Sequence, residues 1–307
     1  MQSLFDLQVN GFGGVDFQQP DLTLEELRHA VRILRRHETS RFFLTLITDD
    51  IDALCNKFER IEKFREQDME IREAICGYHL EGPYISPLPG FRGAHAVEFV
   101  KAPDEKEFLR MQDAARGAIR LVTLAPEWPE SPVFIAALRS QGTLVSLGHT
   151  NADENAISAA IDAGATLCTH LGNGCPLEMP RHDNIVQRLL ARDELCACFI
   201  PDGIHLPPFV LKNLIRAKPA GKVILTTDAM AAAGSAPGEF TLGRLRVCVG
   251  DDGVVRNPLN GGFAGSSLTP ERAVENTIHW TGMPREFARE CLSSIPAALF
   301  GLKLPGL

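Results

Sequence analysis

Short apolar runs rich in β-branched residues recur along the chain, at residues 4–10, 41–48, 75–81, 119–125, 143–149, 166–171, 196–201 and 223–227. Between them lie stretches with helical spacing of apolar positions, such as 23–36, 104–115, 131–140, 153–163 and 207–217. Several of these open on a capping residue: Thr23 precedes Glu25 and Glu26, and Asn151 or Asp153 precedes Glu154. The runs are nearly continuous in apolar residues, as in strands covered on both faces by helices. Eight strand–helix units in a row predict an α/β fold, a closed (β/α)8 TIM-type barrel, with a doubly wound open sheet as the alternative.

One segment breaks the rhythm. Residues 238–262 alternate with period two and turn at Gly250-Asp251-Asp252-Gly253, which predicts a β-hairpin insertion after the eighth strand and then a Gly-rich loop. Helices near 270–280, 284–291 and 295–300 close the chain. No repeat or low-complexity linker divides it, so residues 1–307 are expected to form a single barrel domain.

Polar residues collect where these strands end. The third ends in Glu81, the fifth in His149, the sixth in His170, the seventh in Asp202 and His205, and the eighth in Asp228. In a parallel barrel all strand C-termini share one rim, so residues distant in sequence become neighbours. A lone histidine at a strand end is commonly a structural donor, and a lone aspartate a helix cap. Several on one rim, each beside Gly or Thr, point instead to a metal hydrolase. One carboxylate and two imidazoles suit three-ligand binding of a divalent cation, and a further carboxylate, Asp228, suits proton transfer.

Composition narrows the classes. Of 307 residues, 45% are hydrophobic and 23% charged, which fits a packed soluble core. The net charge of -8 argues against a nucleic-acid surface. No apolar stretch approaches the roughly 20 residues of a membrane span, and Met1-Gln2-Ser3 does not open a signal peptide. The eight cysteines are scattered without a C-x-x-C pair, consistent with reduced thiols in a cytoplasmic protein. The Gly-rich stretch Gly11-Phe12-Gly13-Gly14 lacks the G-x-G-x-x-G spacing and a following lysine, so a nucleotide cradle is not expected there.

The strings "DLQVNGFGGVDF", "HLEGPYISPLPGFRGAH", "SLGHTNAD", "CTHLGNG", "PDGIH", "LTTDAMAAAG" and "GGFAGSSLT", in this order and spacing, resemble the amidohydrolase superfamily, and within it the N-acetylglucosamine-6-phosphate deacetylases. The resemblance runs through nearly the whole chain. It implies that Glu81, His149 and His170 hold one divalent cation per subunit, Zn²⁺ before Fe²⁺, Co²⁺ or Mn²⁺. It makes Asp228 the base that activates water and the acid that protonates the departing amine. Ala94 and His95 would lie against the acetamide or a sugar hydroxyl. Asn173 and Gly174 would contact substrate, and Arg181 and His205 would bind the 6-phosphate. Phe263, Ala264 and Gly265 would form a pocket wall. In relatives the residue matching Arg181 reaches across a dimer interface, so a homodimer is implied.

Four features of this chain bear on the family pattern. Gly172-Asn173-Gly174-Cys175 replaces a hydrophobic-Asn-Ala-Met string, which makes residues 172–183 the segment expected to set the sugar accepted. The family's small β-sandwich is expected to be absent or reduced to the 238–262 hairpin. Cys175, near the proposed site, reads as a packing residue. Gln8 and Asn10 occupy the positions where many amidohydrolases carry His-x-His, and neutral amides ligate transition metals poorly, so a second metal is not expected. The alternatives are deacetylation of another N-acetyl amino sugar, or a sugar-phosphate sensor without turnover.

Overall fold

Eight parallel strands follow one another around a single sheet in chain order: β1 (Leu4–Val9), β2 (Thr39–Ile47), β3 (Ile75–Glu81), β4 (Ile119–Leu124), β5 (Leu144–Leu147), β6 (Leu167–Cys168), β7 (Cys196–Phe199) and β8 (Val223–Leu225). This computed structural model describes residues 3–257 and 262–306. The helices that cover the sheet include α1 (Leu24–Arg36), α2 (Ile51–Gln67), α3 (Met69–Ala74), α4 (Glu105–Ala114), α5 (Ser131–Ser140), α6 (Glu154–Asp162), α7 (Ile185–Leu190) and α8 (Pro208–Ala217). The nearly closed (β/α)8 barrel is the architecture expected, and the open sheet is not formed. Among the described residues no helix is long and apolar enough to cross a membrane.

Alternation along the strands sorts the interior into layers. Phe42, Leu44, Leu46, Tyr78, Leu80, Val122 and Leu124 join the large cluster shared with the helices. Phe5, Leu7, Phe43, Leu121, Leu144 and Leu167 pack inside, at the strand N-terminal end. There the C-terminal helix Ser294–Leu299 delivers Phe300, whose ring lies 4.7 Å from Phe43 and 6.4 Å from Phe5 in edge-to-face contacts. Above this plug runs a hydroxyl layer. His79 Nε2 is 2.7 Å from Thr123 Oγ1, which is 2.7 Å from Thr169 Oγ1, which is 2.6 Å from Ser146 Oγ. The rim lies above that.

The seam between β1 and β8 is closed by three devices. Toward the rim, Asn10 N donates to Ala229 O at 2.7 Å. At the opposite end residues 291–292 wedge in, with Phe5 N donating to Leu292 O and Leu225 N to Cys291 O. Between them sits Asp6, fully buried. Its carboxylate accepts from Thr226 Oγ1 (2.6 Å), Thr227 Oγ1 (2.6 Å), Thr227 N (3.0 Å) and Gln8 N (3.1 Å). Burial pushes this carboxyl above its usual value, against the lowering effect of those hydrogen bonds.

The opening glycines continue the seam. Gly11–Phe12 and Val15–Asp16 pair as an antiparallel ribbon, and Gly13 and Gly14 both take positive φ, as a tight two-residue turn requires. Gly13 N and Gly14 N donate to Ala233 O and Ala231 O. A Cβ at Gly11 would lie 2.5 Å from Val15 O and 2.9 Å from Ala231 N.

The insertion after the eighth strand is a three-stranded antiparallel sheet rather than one hairpin: β9 (Gly238–Leu242), β10 (Leu245–Val249) and β11 (Val255–Arg256). The expected turn at 250–253 joins β10 to β11. A second turn at Gly243-Arg244, where Gly243 has φ +60°, joins β9 to β10. Residues 258–261 of the expected insertion lie outside the described residues.

Asp6→Ala would leave buried hydroxyl and backbone donors without an acceptor. The expected cost is about 2–4 kcal/mol, read as a lower midpoint in urea unfolding with an unchanged slope; an unchanged midpoint would remove Asp6 from the closure.

Candidate metal centre

Glu81 ends β3 in the last inward position of that strand and is almost fully buried. Its Oε1 accepts from Gln8 Nε2 at 3.0 Å. The same oxygen lies 3.1 Å from His170 Nε2 and 3.3 Å from His149 Nε2, and the two imidazole nitrogens are 3.1 Å apart. His149 Nδ1 donates to Phe91 O at 2.9 Å, which leaves Nε2 as its lone-pair nitrogen. Three potential ligand atoms therefore converge on one point. Ligands about 2.0–2.1 Å from a tetrahedral Zn²⁺ lie about 3.3–3.4 Å from one another, so this donor set fits a divalent metal.

Local backbone brings the groups together. His149 (φ +51°), His170 (φ +28°) and Asp228 (φ +50°) are three of the five non-glycine residues with positive φ among the described residues. Such backbone costs on the order of 1–3 kcal/mol each and persists where the surroundings impose it. The ring of His149 is flanked by Gly93 and Gly174. A Cβ on either would lie 2.9 Å from a His149 ring atom.

His95 stands closer to the centre than a substrate contact requires. Its Nε2 is 3.9 Å from Glu81 Oε2, and Glu81, His95 and His149 offer ligand atoms within 4.8 Å of one another. Its Nδ1 lies 2.8 Å from Thr48 Oγ1, and its ring meets that of His149 edge-on at 4.5 Å. The contacts of His170 Nε2 are shorter than the 3.9 Å of His95, so the tighter triangle is Glu81, His149 and His170.

The electrostatics follow from burial. Burial acts to raise the Glu81 carboxyl, but the facing His149 and His170 outweigh it and hold the group well below the usual carboxylate range. Burial lowers His95 to about 3 and His79 to about 4, so both are neutral imidazoles. Asp228 goes the other way. Burial first, then the charge of Glu81, raise it to about 8, although Asn10 Nδ2 donates to its Oδ1 at 2.7 Å.

The remaining expected residues divide into two groups. Along the Asp228 side, Ser266 N donates to Asp228 O at 2.9 Å, and Ala94 packs on the cluster of Met230 and Ala264. The position of Gly265 is confined, since a Cβ there would lie 3.2 Å from Asp228 O. The Phe263 ring lies 5.0 Å from that of His205, whose Nδ1 is 2.6 Å from Asp202 Oδ2. Asn173 folds back, its Nδ2 and N both donating to His170 O. Arg181 is exposed on the 172–184 loop, without an ion pair among the described residues, and is not gathered into the centre. Cys175 is half-buried, and burial raises its thiol. The hydroxyl layer with His79 was not anticipated. Its signal was one polar residue per apolar strand, just before the rim: Thr45, His79, Thr123 and Ser146, with Thr169 beside His170.

No family model matches the chain. An N-acetylglucosamine-6-phosphate deacetylase of Bos taurus is 34% identical over 311 residues, covering 97% of this chain and 73% of the relative. An N-acetylgalactosamine-6-phosphate deacetylase of Shewanella sp. (strain ANA-3) is also 34% identical, covering 88% of this chain and 66% of the relative. The structure of an aspartate-to-alanine mutant of the Mycobacterium smegmatis N-acetyl-D-glucosamine-6-phosphate deacetylase, in complex with N-acetyl-D-glucosamine-6-phosphate, superposes with a TM-score of 0.90 at 31% identity. It covers 100% of this chain and 79% of that one.

Adding Zn²⁺ to chelator-treated protein is expected to raise its melting temperature. Ligand at a hundredfold excess over Kd stabilises by about 2.7 kcal/mol. Glu81→Gln should abolish that rise, and an undiminished rise in the variant would place the cation elsewhere.

Proposed function

The chain belongs to the N-acetylglucosamine-6-phosphate deacetylase family, and on that premise we propose that it hydrolyses the acetamide of an N-acetylhexosamine 6-phosphate to acetate and the free amine. The observation that carries this reading is the convergence of Glu81 Oε1, His149 Nε2 and His170 Nε2 within 3.3 Å. These three residues would hold one divalent cation, Zn²⁺ first. Bound there, it supplies a Lewis acid for the acetamide carbonyl and acidifies water.

Each of this chain's own groups has a role in the proposal. Asp228 takes the proton of the attacking water and returns it to the departing nitrogen. Gln8 and Asn10 point their amide N–H groups at Glu81 and Asp228. As neutral amides they are poor ligands for a second transition metal. Neutral His95 would orient the acetamide or a hydroxyl.

His205, aligned by Asp202 and with its ring tilted against that of Phe263, would meet the 6-phosphate. Arg181 would serve the same phosphate from a second copy. Its exposed loop, which also carries the fully exposed Leu177, fits a surface that a partner chain covers. The relatives at equal identity act on glucosamine and galactosamine derivatives, which differ at one sugar carbon. N-acetylglucosamine 6-phosphate is the first substrate we assign and the galactosamine analogue the alternative. A cytoplasmic location fits both.

Two measurements test this. Asp228→Asn should lower kcat for acetate release by about 10²- to 10⁴-fold, with the substrate KM little changed; a kcat within a few-fold of wild type would dismiss Asp228 as the proton carrier. His205→Ala should lower kcat/KM on the phosphorylated sugar by about tenfold or more and leave the free N-acetyl sugar unaffected. Equal losses on both would dismiss the phosphate role.

A further inference from the structure

Asn10 is held more firmly than its part in the seam requires. Its backbone N donates to Ala229 O at 2.7 Å, and its backbone O accepts from Phe17 N at 3.1 Å and Gln18 Nε2 at 3.3 Å. Its side chain is buried, and Nδ2 donates to Asp228 Oδ1 at 2.7 Å. The other half of the same planar amide, Oδ1, is buried without a partner among the described residues. A buried carbonyl oxygen without a donor is costly, and such an atom beside a reacting group marks a place for a donor from outside.

The proposed deacetylation brings a donor of that kind. Water adds to the acetamide carbon while Asp228 removes its proton. The nitrogen then becomes pyramidal and takes that proton on its lone pair. The C–N bond breaks with its electron pair staying on nitrogen, giving acetic acid, which ionises, and the amine. Throughout, the nitrogen keeps the N–H it began with. When its lone pair faces Asp228, that N–H faces away and needs its own acceptor. Glu81 Oε1 accepts from Gln8 Nε2 and faces the proposed metal position with His149 and His170. Asn10 Oδ1 is an acceptor without a partner among the described residues, on the group that already grips Asp228.

We infer that Asn10 accepts a hydrogen bond from the N–H of the scissile amide through Oδ1, while its Nδ2 fixes Asp228, so that one side chain sets both the proton carrier and the leaving nitrogen. This rests on the deacetylase reading above and adds to it a preference for amides over esters.

The test compares N-acetylglucosamine 6-phosphate with its oxygen analogue, 2-O-acetylglucose 6-phosphate, which has no N–H, using wild-type protein, Asn10→Ala and Asn10→Leu. The ratio of the two kcat/KM values within one preparation is independent of how much of a variant folds. In both variants amide hydrolysis should fall about 10- to 100-fold further than ester hydrolysis, with metal content per chain unchanged. Equal losses on both compounds would overturn the inference and leave the functional reading standing, with Asn10 acting through Asp228 alone. Loss of metal would also overturn it, by placing Asn10 among the groups that secure the cation. Wild-type protein that releases acetate from neither compound would overturn the functional reading, and the inference with it.

Discussion

Three potential ligand atoms lie within 3.3 Å of one another in a buried site, an arrangement that a positive charge between them satisfies. Much of the rim is arranged around that constraint. His149 and His170 adopt left-handed backbone to aim Nε2 inward, and glycines 93 and 174 leave room beside the His149 ring. Gln8 meets the Glu81 oxygen with a neutral N–H rather than a second charge. Asp228, a few strands away, is left with a raised proton affinity because burial and the Glu81 charge both disfavour its anion.

A strained rim needs a rigid base, and the barrel supplies one in layers. The Phe5, Phe43 and Phe300 contacts fill the far end, and the His79 hydroxyl chain occupies the middle without an unpaired charge. The weak point of the sheet is the β1–β8 seam, where the ladder is not continuous. Asp6 bridges it from within, and the ribbon at residues 11–16 continues it beyond the strands by pairing with 231–233. The glycines there let the backbone approach closely. This places Asn10 and Asp228, on the two sides of the seam, in hydrogen-bond contact.

The barrel was legible because strands covered on both faces are apolar throughout, and helices between them keep amphipathic spacing. The rim was legible because such strands can afford polar residues only where they end. α2 carried its own signal, Ile51, Leu54, Phe58 and Ile61 behind the Asp50 cap. What hid the next element is Asp68, which ends α2 and caps α3 at once. The second turn of the insertion was masked by the stronger Gly-Asp-Asp-Gly signal nearby. Asp6 reads as an ordinary polar break in a strand, and its closing role depends on threonines 220 and 221 residues away. His95 lies on a loop, where spacing says nothing about distance, and only the folded chain brings its ring against His149.

The most direct test of the central claim is X-ray absorption at the metal edge of stoichiometrically loaded protein, with metal counted per chain. The result expected is one metal per chain bound by two imidazoles and a carboxylate oxygen, with one imidazole lost in His170→Ala and none in His95→Ala. Two metals per chain, or an imidazole lost with His95 and retained without His170, would contradict the assignment.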